Sequence, residues 1–165
     1  SYMMAARPVW DCVLEVLSIV GAACILGPAT CAIVMAVKGD VLDAVGLPAL
    51  AGSVIGAVTS VAYAAFIQMS GSAFTQVGYY FDPTVPTKEM VDAAATAGGQ
   101  VPLLWVGAVI VGAAVPLVCC VLARKKGDAA GWKLFGGVAV AAALVGAVCL
   151  RVAFYNMGMS VFMFY

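Results

Sequence analysis

Histidine is absent from this chain of 165 residues, and charge is scarce: eight Lys and Arg are balanced by eight Asp and Glu. Without histidine, the usual haem axial ligand, the usual zinc ligand and the usual near-neutral proton carrier are all missing. With zero net charge there is no basic surface to hold a polyanion, so no nucleic-acid partner is expected. Only 10% of the residues are charged while 65% are hydrophobic, and the mean hydropathy is strongly positive. A water-soluble domain of this length needs more polar surface than that, so lipid is the expected solvent. There is no catalytic triad, no phosphate-cradling glycine loop and no cluster of metal-ligating side chains along the sequence. Nothing in it reads as a self-contained enzyme. The six cysteines (Cys12, Cys24, Cys31, Cys119, Cys120 and Cys149) form no CxxC and fall in or beside apolar stretches. An iron–sulfur or zinc site would need clustered thiolates on polar loops. These are therefore read as small buried apolar residues.

What is abundant is glycine, alanine and long apolar runs. Four such runs predict transmembrane helices over about 12–37, 44–69, 101–123 and 132–155, each near the roughly 20 residues that cross a bilayer core. The expected fold is therefore an all-α integral membrane protein, a four-transmembrane-helix bundle forming one domain over residues 1–165. Pro28, Pro48, Pro102 and Pro116 lie within or at the starts of these runs, where neighbouring helices can satisfy the freed carbonyls. The start at Ser1-Tyr2-Met3, with no cleavable signal pattern, is expected of a piece of a longer chain or a trimmed one.

The connections are unequal. Lys38-Gly39-Asp40 predicts a tight turn, and Arg124 to Asp128 a short basic loop followed by Trp132 and Lys133. Residues 70–100 form the long connection, opening with Tyr79, Tyr80, Phe81 and Asp82 as an aromatic belt. Within it, 87–97 reads as a short helix outside the lipid, capped by Thr87 with Glu89 in its first turn. One side of the membrane collects Lys38, Arg124, Lys125, Lys126 and Lys133, the other Arg7 and Lys88. The excess of positive charge places the two tight connections in the cytoplasm, and both termini and the long loop outward.

Small residues recur at spacing four, as Gly52, Gly56, Ser60 and Ala64, and as Ala139, Ala143 and Ala147, continuing to Arg151 and Tyr155. Such ridges mark helix–helix contact in membranes, so the face bearing Arg151 is expected to meet protein. Arg151 and Glu15 are the two ionisable residues inside the apolar runs. Glu15 is one turn into the first helix, and Arg151 lies about 25 Å along the fourth from its cytoplasmic start. Both stand at similar depth. They are expected either to meet, or line one polar pocket for a lipid-soluble substrate, or to snorkel separately to the headgroups. Tyr63, Gln68, Tyr155 and Asn156 lie toward the same side as interfacial anchors or pocket residues.

Two short stretches carry a resemblance. "ARPVW" (Ala6 to Trp10) and the closing "LRVAFY" (Leu150 to Tyr155) resemble the second half of the membrane anchor subunit of dimethyl sulfoxide reductase and its relatives. The resemblance spans essentially the whole chain and implies half of an eight-helix anchor in a bacterial plasma (inner) membrane. It implies menaquinol or ubiquinol as substrate, with no haem or metal in this chain. The implied partners are an iron–sulfur electron-transfer subunit and a molybdopterin catalytic subunit, besides the lipid bilayer. It leaves open whether the chain is a non-catalytic anchor or itself the quinol-oxidising subunit. On this reading Glu15, Arg151, Tyr155 and Asn156 border the quinol pocket, and Arg7, Trp10, Tyr79, Tyr80 and Asp82 dock the partner subunits. The family's quinol-site acidic and histidine residues lie chiefly in the other half and have no counterparts here. The alternative is a complete four-helix transporter or channel half, or a membrane scaffold, acting as a homodimer through its small-residue ridges. Ser53, Thr59 and Ser60 are then nearly all the polarity a central site would have.

Overall fold

The computed structural model describes Trp10 and residues 12–39, 43–70 and 93–158. Four helices are long and apolar enough to cross a membrane: α1 (Val13–Lys38), α2 (Asp43–Ser70), α3 (Ala94–Lys126) and α4 (Ala129–Asn156). Among the described residues there is no strand. The chain is an all-α, multi-pass membrane bundle. The helices alternate in direction. α1 packs along α2 and α3 along α4, and contacts of α2 with α3 and of α4 with α1 close the ring. One end of the bundle holds Trp10, Ser70, Gln100 and Asn156, and the other holds Lys38, Lys126 and Trp132.

Local chemistry sets the helix ends. The Cys12 thiol caps α1 by accepting from the Leu14 amide at 3.3 Å. Gly39, at φ +80°, ends it with its N–H on the Met35 carbonyl. Gly127, at φ +66°, ends α3 in the same left-handed way, a conformation that costs glycine nothing. The stretch from Arg124 to Lys126, expected in a loop, is instead the last turn of α3, where positive side chains face the negative end of the helix dipole. The connection thus shrinks to Gly127 and Asp128, and the Asp128 carboxylate caps the next helix by accepting from Gly131 N–H at 2.8 Å. At the other end, α3 begins at Ala94 rather than at Val101, because the alanine-rich run before Pro102 continues the helix. The expected short helix over 87–97 is therefore described only from Ala93 onward, and there it belongs to the third span. Thr87 and Glu89 lie outside the described residues.

Buried residues of α1 recur every three or four positions as Glu15, Ser18, Gly21, Ile25, Ala29, Ala32 and Ala36, one stripe facing the bundle. Val13, Val16, Leu17, Val20, Val34 and Val37 stay exposed on the opposite side. In water that pattern would be inverted; in a bilayer the exposed face is the solvated one. The buried core falls into two clusters. One gathers Trp10, Tyr63, Ile67, Leu104 and Phe154 near the Trp10 end, and the other Ala36, Cys120, Ala123 and Trp132 near the opposite end. Of the six cysteines only Cys119 and Cys120 are buried; Cys31 is exposed on the lipid face and the other three are half-buried. A thiol is apolar enough to be stable in either place.

Between the two clusters the helices meet through glycine. Pro28 has no N–H to give the Cys24 carbonyl four residues before it. That freed oxygen lies against Gly52 of α2, where an added Cβ would collide with it. Close approach of the Gly52 Cα–H to the carbonyl offers the oxygen a weak partner in place of the lost one. A second crossing has the same logic. Pro116 frees the Gly112 carbonyl, α3 is wound more widely from Pro102 to Ala114, and the Val115 amide donates to the Ile110 carbonyl five residues back. There Gly112 and Gly146 stack backbone on backbone, leaving room for no side chain on either. The Gly52 and Gly56 ridge is thus consumed inside the chain, against α1.

Replacing Gly146 with leucine should wedge α3 from α4 and cost about 1–3 kcal/mol. Gly137→Ala, a position with no neighbour within 4 Å of the added carbon, should be tolerated. Thermal unfolding in detergent compares the two, and equal melting temperatures would contradict the glycine crossing.

Candidate functional site

The buried stripe of α1 carries Glu15 into the bundle at its Trp10 end, 4% exposed. Its position in the first turn sets the carboxylate at the positive end of the helix dipole, and the Ser18 hydroxyl donates to the Glu15 carbonyl at 2.6 Å. Across from it, Arg151 of α4 donates from Nη1 to Glu15 Oε1 at 2.8 Å. The two intramembrane charges of the sequence therefore meet rather than snorkel separately. They are not equally buried, since the Arg151 side chain is 36% exposed.

That asymmetry follows from helix geometry. A step of four residues turns about 400°, so a ridge at that spacing drifts about 40° each step. Ala139 and Ala143 are buried, Ala147 and Arg151 partly so, and Tyr155 is exposed. The expectation that this whole ridge faces protein therefore fails at its far end. Arg151 stands on the border between bundle and lipid.

Around the pair the two terminal motifs meet. The Arg151 guanidinium carbon lies 5.4 Å from the Phe154 ring centroid, within range for a cation–π contact. Phe154 stacks on Trp10 at 4.9 Å and 11°, and the Trp10 indole donates to the Phe154 carbonyl at 3.1 Å. Tyr155 meets Trp10 edge-on at 6.2 Å. Trp10, just before α1, is thereby fastened to α4. Two further side-chain bonds tie the same end: Trp105 to Gln68 at 2.6 Å, and Asn156 to Gln100 at 3.0 Å.

Tyr63 of α2 is buried under this assembly, 1% exposed, and stacks with Phe66. It belongs to the buried cluster that also holds Trp10, Leu150 and Phe154. Its hydroxyl has no hydrogen-bond partner among the described residues. Sequence reasoning leaves Tyr63 as an interfacial anchor or a pocket residue. Its placement facing inward depends on the phase of α2, for which a lone tyrosine in an apolar run gives no signal.

Below the pair, toward mid-bundle, lies a cleft of about 130 Å³ bordered by all four helices. Arg151 forms its upper wall, Ser18 and Ser60 add hydroxyls, and Ala108, Gly112 and Gly146 form a floor of small residues. Ile19, 46% exposed, lies at its edge, so the cleft opens toward lipid beside α1.

Of the residues singled out as pocket residues, Glu15 and Arg151 are brought together, and Arg151 also lines the cleft. Tyr155 and Asn156 lie one turn beyond it, Tyr155 exposed beside Trp10 and Asn156 bonded to Gln100. Of the docking residues, Trp10 is buried beneath Phe154 and Gly158; Arg7, Tyr79, Tyr80 and Asp82 lie outside the described residues. Sequence reasoning names Ser60 only on the small-residue ridge and as polarity for a central site under the alternative reading, and does not name Ser18. Ser18 follows Glu15 by one helical turn, which is the signal that could have found it. No family model, curated protein or solved structure matches the chain.

Removing one partner of the ion pair should leave a stranded charge at the membrane interior. Arg151→Leu is expected to cost about 2–3 kcal/mol, below the roughly 3–5 of a fully enclosed pair because the arginine is partly exposed. The double variant Glu15→Leu with Arg151→Leu should recover most of that loss, as a double-mutant cycle in detergent unfolding would report. Strict additivity would mean that the pair does not couple. Trp10→Phe keeps the stack but removes the indole donor, and should cost about 1 kcal/mol in the same assay.

Proposed function

We propose that this chain is the membrane anchor subunit, or its C-terminal half, of a molybdopterin-type reductase of the dimethyl sulfoxide reductase kind. In that role it holds an iron–sulfur electron-transfer subunit and a molybdopterin catalytic subunit at the bilayer surface and oxidises menaquinol or ubiquinol. The observation that carries the reading is the meeting of the two motifs behind the resemblance. Trp10 of "ARPVW" stacks on Phe154 of "LRVAFY" and bonds to its carbonyl, with the Glu15–Arg151 pair directly beside them. Two short stretches separated by most of the chain thus build one structure at one end of the bundle.

The chemistry suits the role. Quinol oxidation releases two electrons and two protons. The electrons would pass to the partner's iron–sulfur clusters, and the protons would leave at the surface on which that partner sits. A charged pair close to that surface, above a cleft open to lipid, gives a lipid-borne reductant a place to stop near the docked clusters. The charge distribution supports an orientation in a bacterial inner membrane with Lys38, Arg124, Lys125, Lys126 and Lys133 toward the cytoplasm. The Trp10 end, the long connection and the docked subunits then face outward. The homodimeric transporter or scaffold reading loses support, because the Gly52 and Gly56 ridge offered for self-association is already packed against α1.

Extraction of the native protein in mild detergent should co-isolate an iron–sulfur protein and a large molybdopterin protein. Arg151→Ala should reduce their retention, or lower quinol oxidation by the complex at least several-fold. Isolation of homodimers free of such partners would overturn the reading. A membrane-impermeant label reaching Lys125 and Lys126 in intact cells would overturn the orientation.

A further inference from the structure

We infer that the lipid-facing groove between the end of α3 and the start of α4 is a binding site for an anionic phospholipid, its phosphate held by Lys125 and Lys126 and an acyl chain lying below them. The inference is independent of the anchor reading, because it uses only the Lys126 end of the bundle.

The charges at this corner are unbalanced. Arg124, Lys125, Lys126 and Lys133 are all exposed. The ion pair of the described residues, Glu15 with Arg151, is at the other end. Asp128, the acid nearest these cations in sequence, is already engaged: its carboxylate accepts from the Gly131 amide at 2.8 Å as the cap of α4. Lys126 is also held in place. Its stem runs along Gly131, where an added Cβ would stand 3.1 Å from the lysine Cβ and 3.3 Å from its Cδ. That course carries the ammonium across to α4, over the Phe135 ring at 5.2 Å from its centroid. The ring meets one side of the ammonium, and its three N–H donors remain available to an acceptor.

Helix geometry decides which cations share the groove. Arg124 and Lys126 are two residues apart, about half a turn, so Arg124 stands on the other flank of α3, where its stem passes Gly46 of α2. Lys133 and Phe135 are likewise about half a turn apart, in the part of α4 that is wound more widely, which puts Lys133 on the flank away from Phe135. Lys125 and Lys126 are left above the groove. Beneath them on α3 come Leu122, one turn before Lys126, and Val118, one turn farther, 40% and 55% exposed. On α4 the partly buried Phe135 is followed one turn on by the exposed Val138. Two cations thus stand at the end of two spans, directly over an apolar surface. A molecule with an anionic head and an apolar tail meets both features in one orientation. A free phosphate or a soluble acidic peptide has no use for Leu122 and Val118, and a zwitterionic lipid brings its own cation beside the phosphate.

Photolabelling reads the site. The probe is a phosphatidylglycerol with a diazirine on one chain, added to phosphatidylcholine vesicles that hold the full chain with whatever subunits accompany it. Peptide mapping should place the adducts within residues 118–138, at a yield about tenfold above that of the matching phosphatidylcholine probe. Lys125→Gln with Lys126→Gln should lower the yield to that of the phosphatidylcholine probe, at an unchanged melting temperature. Arg124→Gln with Lys133→Gln removes as many charges from the far flanks and should keep most of the yield. Equal yields from the two probes, or full yield without Lys125 and Lys126, would overturn the inference. An equal loss in the far-flank pair would overturn it too, by showing diffuse attraction to the whole basic end. Displacement of the probe by inorganic phosphate, beyond that caused by sodium chloride at equal ionic strength, would replace the lipid site with one for free phosphate.

Discussion

A hydrocarbon solvent offers no hydrogen bonds, so every polar group that enters it must find its partner inside the protein or at the interface. Most of what is distinctive in this bundle answers that requirement. Serine and threonine hydroxyls within the spans turn back on their own helices: Thr30 donates to the Leu26 carbonyl, Ser53 to Ala49 and Thr59 to Ile55. The carbonyl stranded by Pro28 is brought against a glycine. The one pair of opposite charges within the spans among the described residues is joined at 2.8 Å. The Tyr63 hydroxyl is the exception among the described buried side chains, and Tyr63 lies in the buried cluster of Trp10 and Phe154, at the end of the bundle that holds that pair. A rule obeyed elsewhere and broken in the cluster of Trp10 and Phe154 draws attention to that end of the bundle.

The four spans were legible in the sequence because length and hydropathy are local properties. So was the pairing of Glu15 with Arg151 as one of three outcomes, since depth follows from counting residues along straight helices. Whether the two face each other depends on the rotation of α1 and α4, which no local property reveals. The drift of the Ala139 to Tyr155 ridge shows the limit of a spacing argument. Four residues are close to a whole turn but not equal to it, and four steps carry the ridge from the core to lipid. Helix ends were the least legible. Arg124 to Lys126 look like loop by composition, yet positive side chains are welcome in a final turn.

A polar pocket at Glu15 and Arg151 is one of the outcomes the sequence offers, but the cleft's position and its small-residue walls are not legible in it, for a physical reason. A cavity has no residues of its own. It is what remains where Ala108, Gly112 and Gly146 are too small to fill the space that the proline-linked widening of α3 opens. Small-residue ridges predict close approach, and at Gly112 and Gly146 the backbones do touch. One turn away, the same small residues leave a gap. Sequence alone does not separate those two results.

The bond between Arg151 and Glu15 joins positions 136 residues apart, and Trp10 reaches even farther, 144 residues, to Phe154. A ribosome delivers α1 to the membrane long before α4 exists. For all of that interval the carboxylate on the first helix waits for a guanidinium that has not been synthesised. Of the four spans, α4 leaves the translocon after the other three and latches onto the one that preceded them, so a message cut short within α4 would leave that seam open, a ready mark for quality-control proteases.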